Sequence, residues 1–187
     1  MMTIRTLFQR LTSRRDDTIA ALYGAIVAQA RQPVFYQNYR VPDSFDGRLE
    51  MIMLHIMLAL RHLREEEKPM GQHLFDHFCA DIDGNLREAG VGDLAIPKRM
   101  QAIASGFYGR FAAYKAALEH DNIEVLENAL ARNVYGGHCE IMGVRDLALY
   151  VRNADRMVRE DLQSRPLNAV GITFPSPMRG TGEGGPP

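Results

Sequence analysis

The longest apolar stretch of the chain lies between Met51 and Leu60. Every residue in it is apolar except His55, and no glycine, proline or run of β-branched residues interrupts it. Leucine, methionine and alanine favour helix, and a helix that is apolar on all sides must be covered by other helices or by lipid. Because a membrane-spanning helix needs roughly 20 apolar residues, the pattern predicts a central core helix over residues 46–64.

Apolar residues recur at helical spacing on both sides of this central helix and predict further helices. Pro33 ends the first of them and is followed by an extended or irregular stretch. Gly90 is placed to cap the second, Pro97 suits the first turn of the third, and a capping box at 121–124 opens the fourth. No strand pattern is convincing. The predicted helical segments are 16–32, 70–89, 97–120, 121–133 and 144–162.

We therefore expect an all-α fold, with a single helical domain of about six or seven helices around the central buried helix. Its predicted extent is residues 16–163. A basic amphipathic arm over residues 1–15 precedes it, and a tail rich in proline and glycine over residues 164–187 follows it. Proline and glycine in this density are typical of non-globular segments. Within the tail, residues 170–174 are apolar enough to lie along the domain or to bind a partner.

Two glycines fall inside the predicted 97–120 helix, where each costs roughly 1 kcal/mol relative to alanine. Gly106 and Gly109 form a strip of small residues with Ala113. We predict that the central helix approaches closely along this strip, which would give the glycines a reason. A kink in the helix is the alternative.

The basic arm carries four arginines and no acidic residue. One interpretation is contact with anionic lipid, ribosomal RNA or an acidic partner. The other is a frayed N-terminal helix whose arginines are solvated. Its arginines are Arg5, Arg10, Arg14 and Arg15.

The chain has 187 residues and a formal net charge of −1, which argues against a nucleic-acid-binding protein of the usual basic kind, and we expect no DNA partner. Its two cysteines, Cys79 and Cys139, are too few for a disulfide framework and fit a reducing compartment. No signal peptide or transmembrane segment is visible. We expect a cytoplasmic protein with room for contact at a membrane surface.

Histidines are the main candidates for ligands of a metal ion or a haem. His73 and His77 have a spacing that metal sites use, but Leu74 stands where the zinc-protease pattern requires glutamate. We therefore predict solvated or rim histidines and no metal ligands. For His55 we favour a buried, neutral, hydrogen-bonded ring over a haem ligand, and expect no cofactor. A metal- or cofactor-binding helical protein stays as an alternative, as does a plain helical scaffold.

No phosphate loop, nucleophile elbow or paired carboxylate is visible, and Glu65-Glu66-Glu67 fits a solvated helix end. We therefore expect a protein that is not an enzyme. Two groups of residues are candidates for partner binding. Tyr39 and Arg40 belong to an aromatic group that either meets a partner or pins a loop to the core. The second group lies on the 97–120 helix and comprises Tyr108, Arg110 and Tyr114; Arg110 either faces a partner or pairs internally.

Several stretches in the same order resemble the ubiquinol–cytochrome c chaperone family, over residues 32–158. Each piece is weak alone, whereas the ordered set is fairly specific. The chain departs from the family where aromatic residues are common around the leucine-histidine pair, since it has Met51, Ile52 and Met57 there. The matching residues are Phe45-Asp46, Leu54-His55, Arg61-His62-Leu63, Phe78, Asp81, Gly90-Val91-Gly92, Phe107-Tyr108-Gly109-Arg110, Tyr114, Ala129-Leu130-Ala131-Arg132-Asn133 and Tyr150-Val151-Arg152.

The resemblance implies an assembly chaperone for respiratory complex III that binds newly made cytochrome b. Mitochondrial members work with a small helper subunit and associate with the ribosome, so both are candidate partners. The chain looks like a bacterial member, which implies a place in the cytoplasm with peripheral contact at the inner membrane. An apolar or amphipathic groove, and no catalytic group, is what such a role needs, and methionine-rich surfaces suit adaptable contact.

Overall fold

The computed structural model describes residues 4–120, 122–138, 142–165 and 171–178, with side chains from residue 16 onward. These residues form six helices of 12 residues or more, the five-residue α2, and one 3-10 turn at Glu65–Glu67. The predicted all-α fold is confirmed. The helices are α1 (Ile4–Ala30), α2 (Pro33–Gln37), α3 (Phe45–Arg61), α4 (Lys68–Glu88), α5 (Ile96–Leu118), α6 (Ile123–Val134) and α7 (Gly143–Ser164).

The predicted central helix is α3, and it lies in the middle of the domain. Ser44 caps its first turn by accepting a hydrogen bond from the Gly47 backbone at 3.1 Å, as expected for a serine N-cap. Every residue from Met51 to Ala59 is buried. α3 contacts α1, α4, α5, α6 and α7, so helices cover the apolar stretch from several directions, as its composition requires.

The covering helices follow one another around α3, because α1 packs on α4, α4 on α5, α5 on α6, and α6 on α7. Between α7 and α1 lie α2 and the extended segment 171–178. Phe35 of α2 contacts both His55 and Tyr150 through its ring. The segment 171–178 hydrogen-bonds to α1 and α7. No helix among the described residues is long and apolar enough to cross a membrane.

Several predicted boundaries differ from the structure. The backbone of residues 4–15, predicted as a separate arm, continues into α1. Pro33 ends α1 as predicted, but it also opens α2 in a stretch predicted to be extended or irregular, because proline is tolerated in a first helical turn. Asn122 caps α6 through the Glu124 backbone, while Asp121 lies outside the described residues. Gly90 has the positive φ of 80° that a helix-ending glycine provides.

The prediction for the glycines of α5 is wrong. Gly109 is exposed, and a Cβ atom there would meet nothing within 4 Å. A Cβ atom on Gly106 would meet the guanidinium of Arg110, one turn further along the same helix, and no other helix. Close backbone approach occurs instead at Gly143, where α7 begins directly against the Tyr39 carbonyl. Small residues at helical spacing do not by themselves reveal which face is packed.

The acidic run at the 3-10 turn is also not wholly solvated. Glu67 is 7% exposed, whereas Glu65 and Glu66 are exposed. The Glu67 carboxylate accepts hydrogen bonds from the backbone and side chain of Arg64. Its burial is possible because the charge is paired and hydrogen-bonded.

Candidate partner-binding surfaces

The structure distributes the predicted partner-binding residues over different parts of the domain. Tyr39 and Tyr114 are each 3% exposed, so their rings belong to the core. Arg40 is exposed and adopts a positive φ of 60°. Tyr108 is 59% exposed. Tyr108 and Arg110 are two residues apart in a helix, about 200° around its axis, so they lie on different faces of α5. A role of these five residues in binding stays a prediction.

Arg110 forms an ion pair with Glu50 of α3. Its Nε donates to Glu50 Oε2 at 2.7 Å, and a terminal nitrogen lies 2.5 Å from Oε1. The two bonds give the two-pronged geometry that fixes an arginine against a carboxylate. Burial raises the pKa of Glu50, and the bonds from Arg110 oppose that rise. The pair therefore holds α5 to α3 through a charge that is mostly removed from water.

This ion pair lies in a surface depression along the contact of α3 and α5. It is a cleft of about 420 Å³ at the start of α3, called the polar cleft below. Besides Glu50 and Arg110, the cleft is lined by Arg99, Asn133 and several apolar side chains. Because Glu50 already pairs with Arg110, the cleft has no strong surplus of either charge. Its further lining residues include Phe45, Asp46, Leu49, Met53, Ile103 and Val134.

Another depression lies where the end of α3 meets α4 and α5. It has a volume of about 200 Å³ and is called the aromatic groove. Phe75 is its centre, with ring-centroid distances of 4.8 Å to Phe107 and 5.7 Å to Tyr108. Phe75 and Phe111 are only partly buried. The groove therefore offers apolar surface to solvent, with the exposed Tyr108 at its side. Its lining is Leu60, Leu63, Lys68, Gly71, Gln72, Phe75, Phe107, Tyr108 and Phe111.

His55 is the buried, hydrogen-bonded histidine that the sequence favours. It is 0% exposed. Its Nδ1 lies 2.7 Å from the Met51 carbonyl, which can only accept, so Nδ1 carries the proton. Its Nε2 then accepts from the Tyr150 hydroxyl at 2.8 Å, and Gln29 donates to that hydroxyl. Burial lowers the pKa of His55 to about 4. With both ring nitrogens bonded inside the protein, the ring is arranged as a structural group.

The other histidines do not form a metal site in the described part of the chain. His73 is exposed, and the His77 ring meets the edge of Tyr23 at a centroid distance of 5.0 Å. Among the described side chains, no three or more histidine, cysteine, aspartate or glutamate residues lie close enough together to hold an ion. Cys139 lies outside the described residues.

The predicted basic arm is described only in its backbone, from residue 4 onward. The backbone of residues 4–15 is helical, but the side chains of its arginines lie outside the described residues. Their role in contacting lipid, RNA or an acidic partner stays a prediction. These residues are Arg5, Arg10, Arg14 and Arg15.

Two of these features were not predicted from the sequence. The burial of Glu50 was visible in principle, because the helical repeat puts it on one face with Met53, Leu54 and Met57. A single carboxylate on an apolar face signals a buried partner. The aromatic groove is different, since its residues come from separate helices. Their meeting depends on how α4 and α5 cross.

Comparisons with known proteins agree on one family. The sequence model of the ubiquinol-cytochrome C chaperone family matches residues 37–164. The chain is 27% identical over 154 residues to ubiquinol-cytochrome c reductase complex assembly factor 1 of Mus musculus, a match that covers 77% of this chain and 52% of the mouse protein. It therefore spans about half the length of that relative.

The structural comparison extends further along the chain. The fold matches the crystal structure of the Cbp3 homologue from Brucella abortus with a TM-score of 0.78 and 34% sequence identity. The match covers 91% of this chain and 97% of that one. The family match spans more than half of the sequence, and the shared fold accompanies it. The chain therefore belongs to the ubiquinol–cytochrome c chaperone family.

Proposed function

We propose that this chain is an assembly chaperone that binds newly made cytochrome b for the ubiquinol–cytochrome c reductase complex. The observation that carries the proposal is the family match over residues 37–164. The mouse relative is named as an assembly factor of the same reductase complex. Cytochrome b, as the bound subunit, comes from the resemblance of the sequence to the family.

The aromatic groove supports binding of such a client. A membrane subunit that has not yet been assembled exposes apolar side chains, which are attracted to any apolar surface that can remove them from water. The groove leaves the Phe75 and Phe111 rings only partly buried, with Tyr108 59% exposed beside them. Exposed apolar patches of this kind often mark interaction sites.

The proposal assigns no chemical step to the chain, and its role is binding alone. The polar groups that it buries serve the fold: Glu50 pairs with Arg110, and His55 bonds to Met51 and Tyr150. A ribosome, a small helper subunit and the membrane surface stay as further predicted contacts.

Deleting the gene tests the proposal at the level of the cell. We expect less assembled complex III and a weaker haem b absorption in isolated membranes, both restored by the full chain. Normal levels of both in the deletion strain would contradict the proposed function.

A surface variant tests the groove. Tyr108→Asp places a charge beside the apolar surface and should reduce the amount of cytochrome b recovered with the chain in mild detergent. Leu94→Asp is the matched control, because Leu94 is 98% exposed and lies outside the groove. Equal recovery with both variants would remove the groove from the proposal while leaving the client in place.

A further inference from the structure

The extended segment 171–178, called the strap below, crosses the gap between α7 and α1. It has no regular secondary structure, yet Ile172, Pro175 and Pro177 are buried while Thr173 and Ser176 are exposed. The strap lies beyond residues 37–164, the range that matches the family model. The strap lies in a binding site formed by the domain, called the seat below. The strap itself is not part of the sequence that matches the family.

Side chains of the domain bind the strap mainly through its backbone. The Asp161 carboxylate of α7 accepts the Thr173 backbone N–H at 3.0 Å. The Gln29 amide of α1 donates to the Pro175 carbonyl at 2.9 Å. The Met178 backbone N–H contacts the Tyr39 hydroxyl. Groups on three different parts of the fold thus bind the extended main chain of the strap. Any segment in an extended conformation presents the same backbone groups.

Two side chains of the strap meet the core: Ile172 is buried in it, and the partly buried Phe174 packs against it. The Phe174 ring meets the His55 ring at a centroid distance of 5.1 Å. Phe35 and Tyr150 stand beside His55, with their own rings 4.8 Å apart. The floor of the seat is therefore lined by aromatic rings, and the Phe174 ring of the strap packs against it.

The floor and the backbone-binding groups are connected. Gln29 uses one amide nitrogen to donate to both Tyr150 and the Pro175 carbonyl, and Tyr150 donates to His55. The seat is held in place by bonds within the domain. Prolines at 175 and 177 suit it because they favour an extended backbone and have no N–H that would need a partner.

We propose that this seat is a binding site for an extended peptide segment with an aromatic residue followed by proline, and that the strap fills it in cis. An incoming segment of the same chemistry competes with the strap for Asp161, Gln29 and the aromatic floor. The apparent affinity for that segment is reduced by the fraction of molecules in which the strap is seated. The inference does not depend on which client the chaperone binds.

Peptide binding to the full-length chain tests the proposal. The probe is a fluorescent peptide with the sequence of residues 171–178, and fluorescence anisotropy is the readout. Phe174→Ala in the full chain should bind this peptide about ten-fold more tightly than the wild-type chain does, because its own strap competes less well. Ser176→Ala is the matched control, since its side chain is exposed in the seated strap, and should behave as wild type.

The same experiment contains the results that would overturn the proposal. Equal affinity for the wild-type and Phe174→Ala chains would do so, as would undiminished binding of a peptide with alanine in place of Phe174. Wild-type dimers that exchange straps between chains, seen by light scattering and chain mixing, would also contradict occupancy in cis.

Hydrogen exchange on the wild-type chain keeps the test independent of any folding defect in the variant. A strap that opens by itself should exchange the Thr173 amide about 100-fold faster than the amides of Met53–Ile56, which require wider unfolding. Exchange of Thr173 at the same rate as these core amides would show that the strap opens only when the domain unfolds, which rules out competition in the native state.

Discussion

α3 and α5 lie against each other but have opposite surroundings. In α3, 12 of 17 residues are buried, including every residue from Met51 to Ala59. In α5, only four of 23 residues are buried. α3 therefore has almost no freedom to change without loss of packing, whereas α5 keeps a large outward face. α3 therefore contributes mainly to stability, and α5 has surface available for contact with a partner.

The link between the two helices is polar as well as apolar. Arg110 of α5 folds back over Gly106 to reach Glu50 of α3. Gly106 leaves space for that side chain, so its place in α5 concerns its own helix and not a neighbouring one. Gly109, three residues later, has no such neighbour. Two glycines that look alike in the sequence thus have different surroundings.

Truncation of a core residue should give the largest difference between the helices. Leu54→Ala in α3 should lower the free energy of unfolding by about 2–5 kcal/mol, since Leu54 is 1% exposed and its loss leaves a cavity. Tyr108→Ala in α5 should change it by less than about 0.5 kcal/mol, the range of exposed positions. Denaturant unfolding measures both. Similar losses for the two variants would remove the contrast.

Breaking the ion pair tests the link. Arg110→Ala leaves the mostly buried Glu50 carboxylate without its partner and should lower stability by roughly 3 kcal/mol at pH 7. The double variant Glu50→Leu with Arg110→Leu should recover most of this loss, because no unpaired charge is left. A double variant that is no more stable than Arg110→Ala would show that packing of the arginine, and not the charge of Glu50, causes the loss.

The pH dependence of stability tests the interior of α3. The pKa of His55 is about 4 in the folded chain and about 6.5 when unfolded. Between these values the unfolded chain binds more protons, so stability is full above pH 6.5 and falls as the pH drops towards 4. The total loss from this group is at most about 3 kcal/mol.

Unfolding measured at several pH values checks this expectation. His55→Gln should flatten the slope between pH 6.5 and 4, because a side chain that does not titrate replaces the imidazole. The remaining slope of the variant then reports the carboxylates. An unchanged slope would show that His55 does not titrate across this window.

The glycines of α5 should give the smallest effects. Gly109→Ala should raise stability by about 0.5–1 kcal/mol, since alanine is the better helix former and its Cβ meets open space. Gly106→Ala should gain less, because its Cβ would displace the Arg110 guanidinium. Equal gains in thermal unfolding would mean that Arg110 adjusts freely.

Some features of the fold and the candidate site could be predicted from the sequence, and others could not. The burial of α3 and the internal bonding of His55 could be predicted, because helical propensity and desolvation act locally or depend on composition. The packing role of the α5 glycines was predicted wrongly, since periodicity shows that residues share a face but not what lies opposite. Tyr39 could be read as a partner contact or as a pinned ring until its burial was known.

The sequence by itself determined that this chain is all-α, that one helix lies at its centre, and that it resembles the ubiquinol–cytochrome c chaperones. These conclusions rest on the order and spacing of residues along one chain. Only the tertiary structure decided that Arg110 meets Glu50, that Phe75 and Phe107 form a groove, and that Phe174 covers His55. These pairs are separated by 32 to 119 positions, and no local pattern records a contact that depends on how whole helices cross.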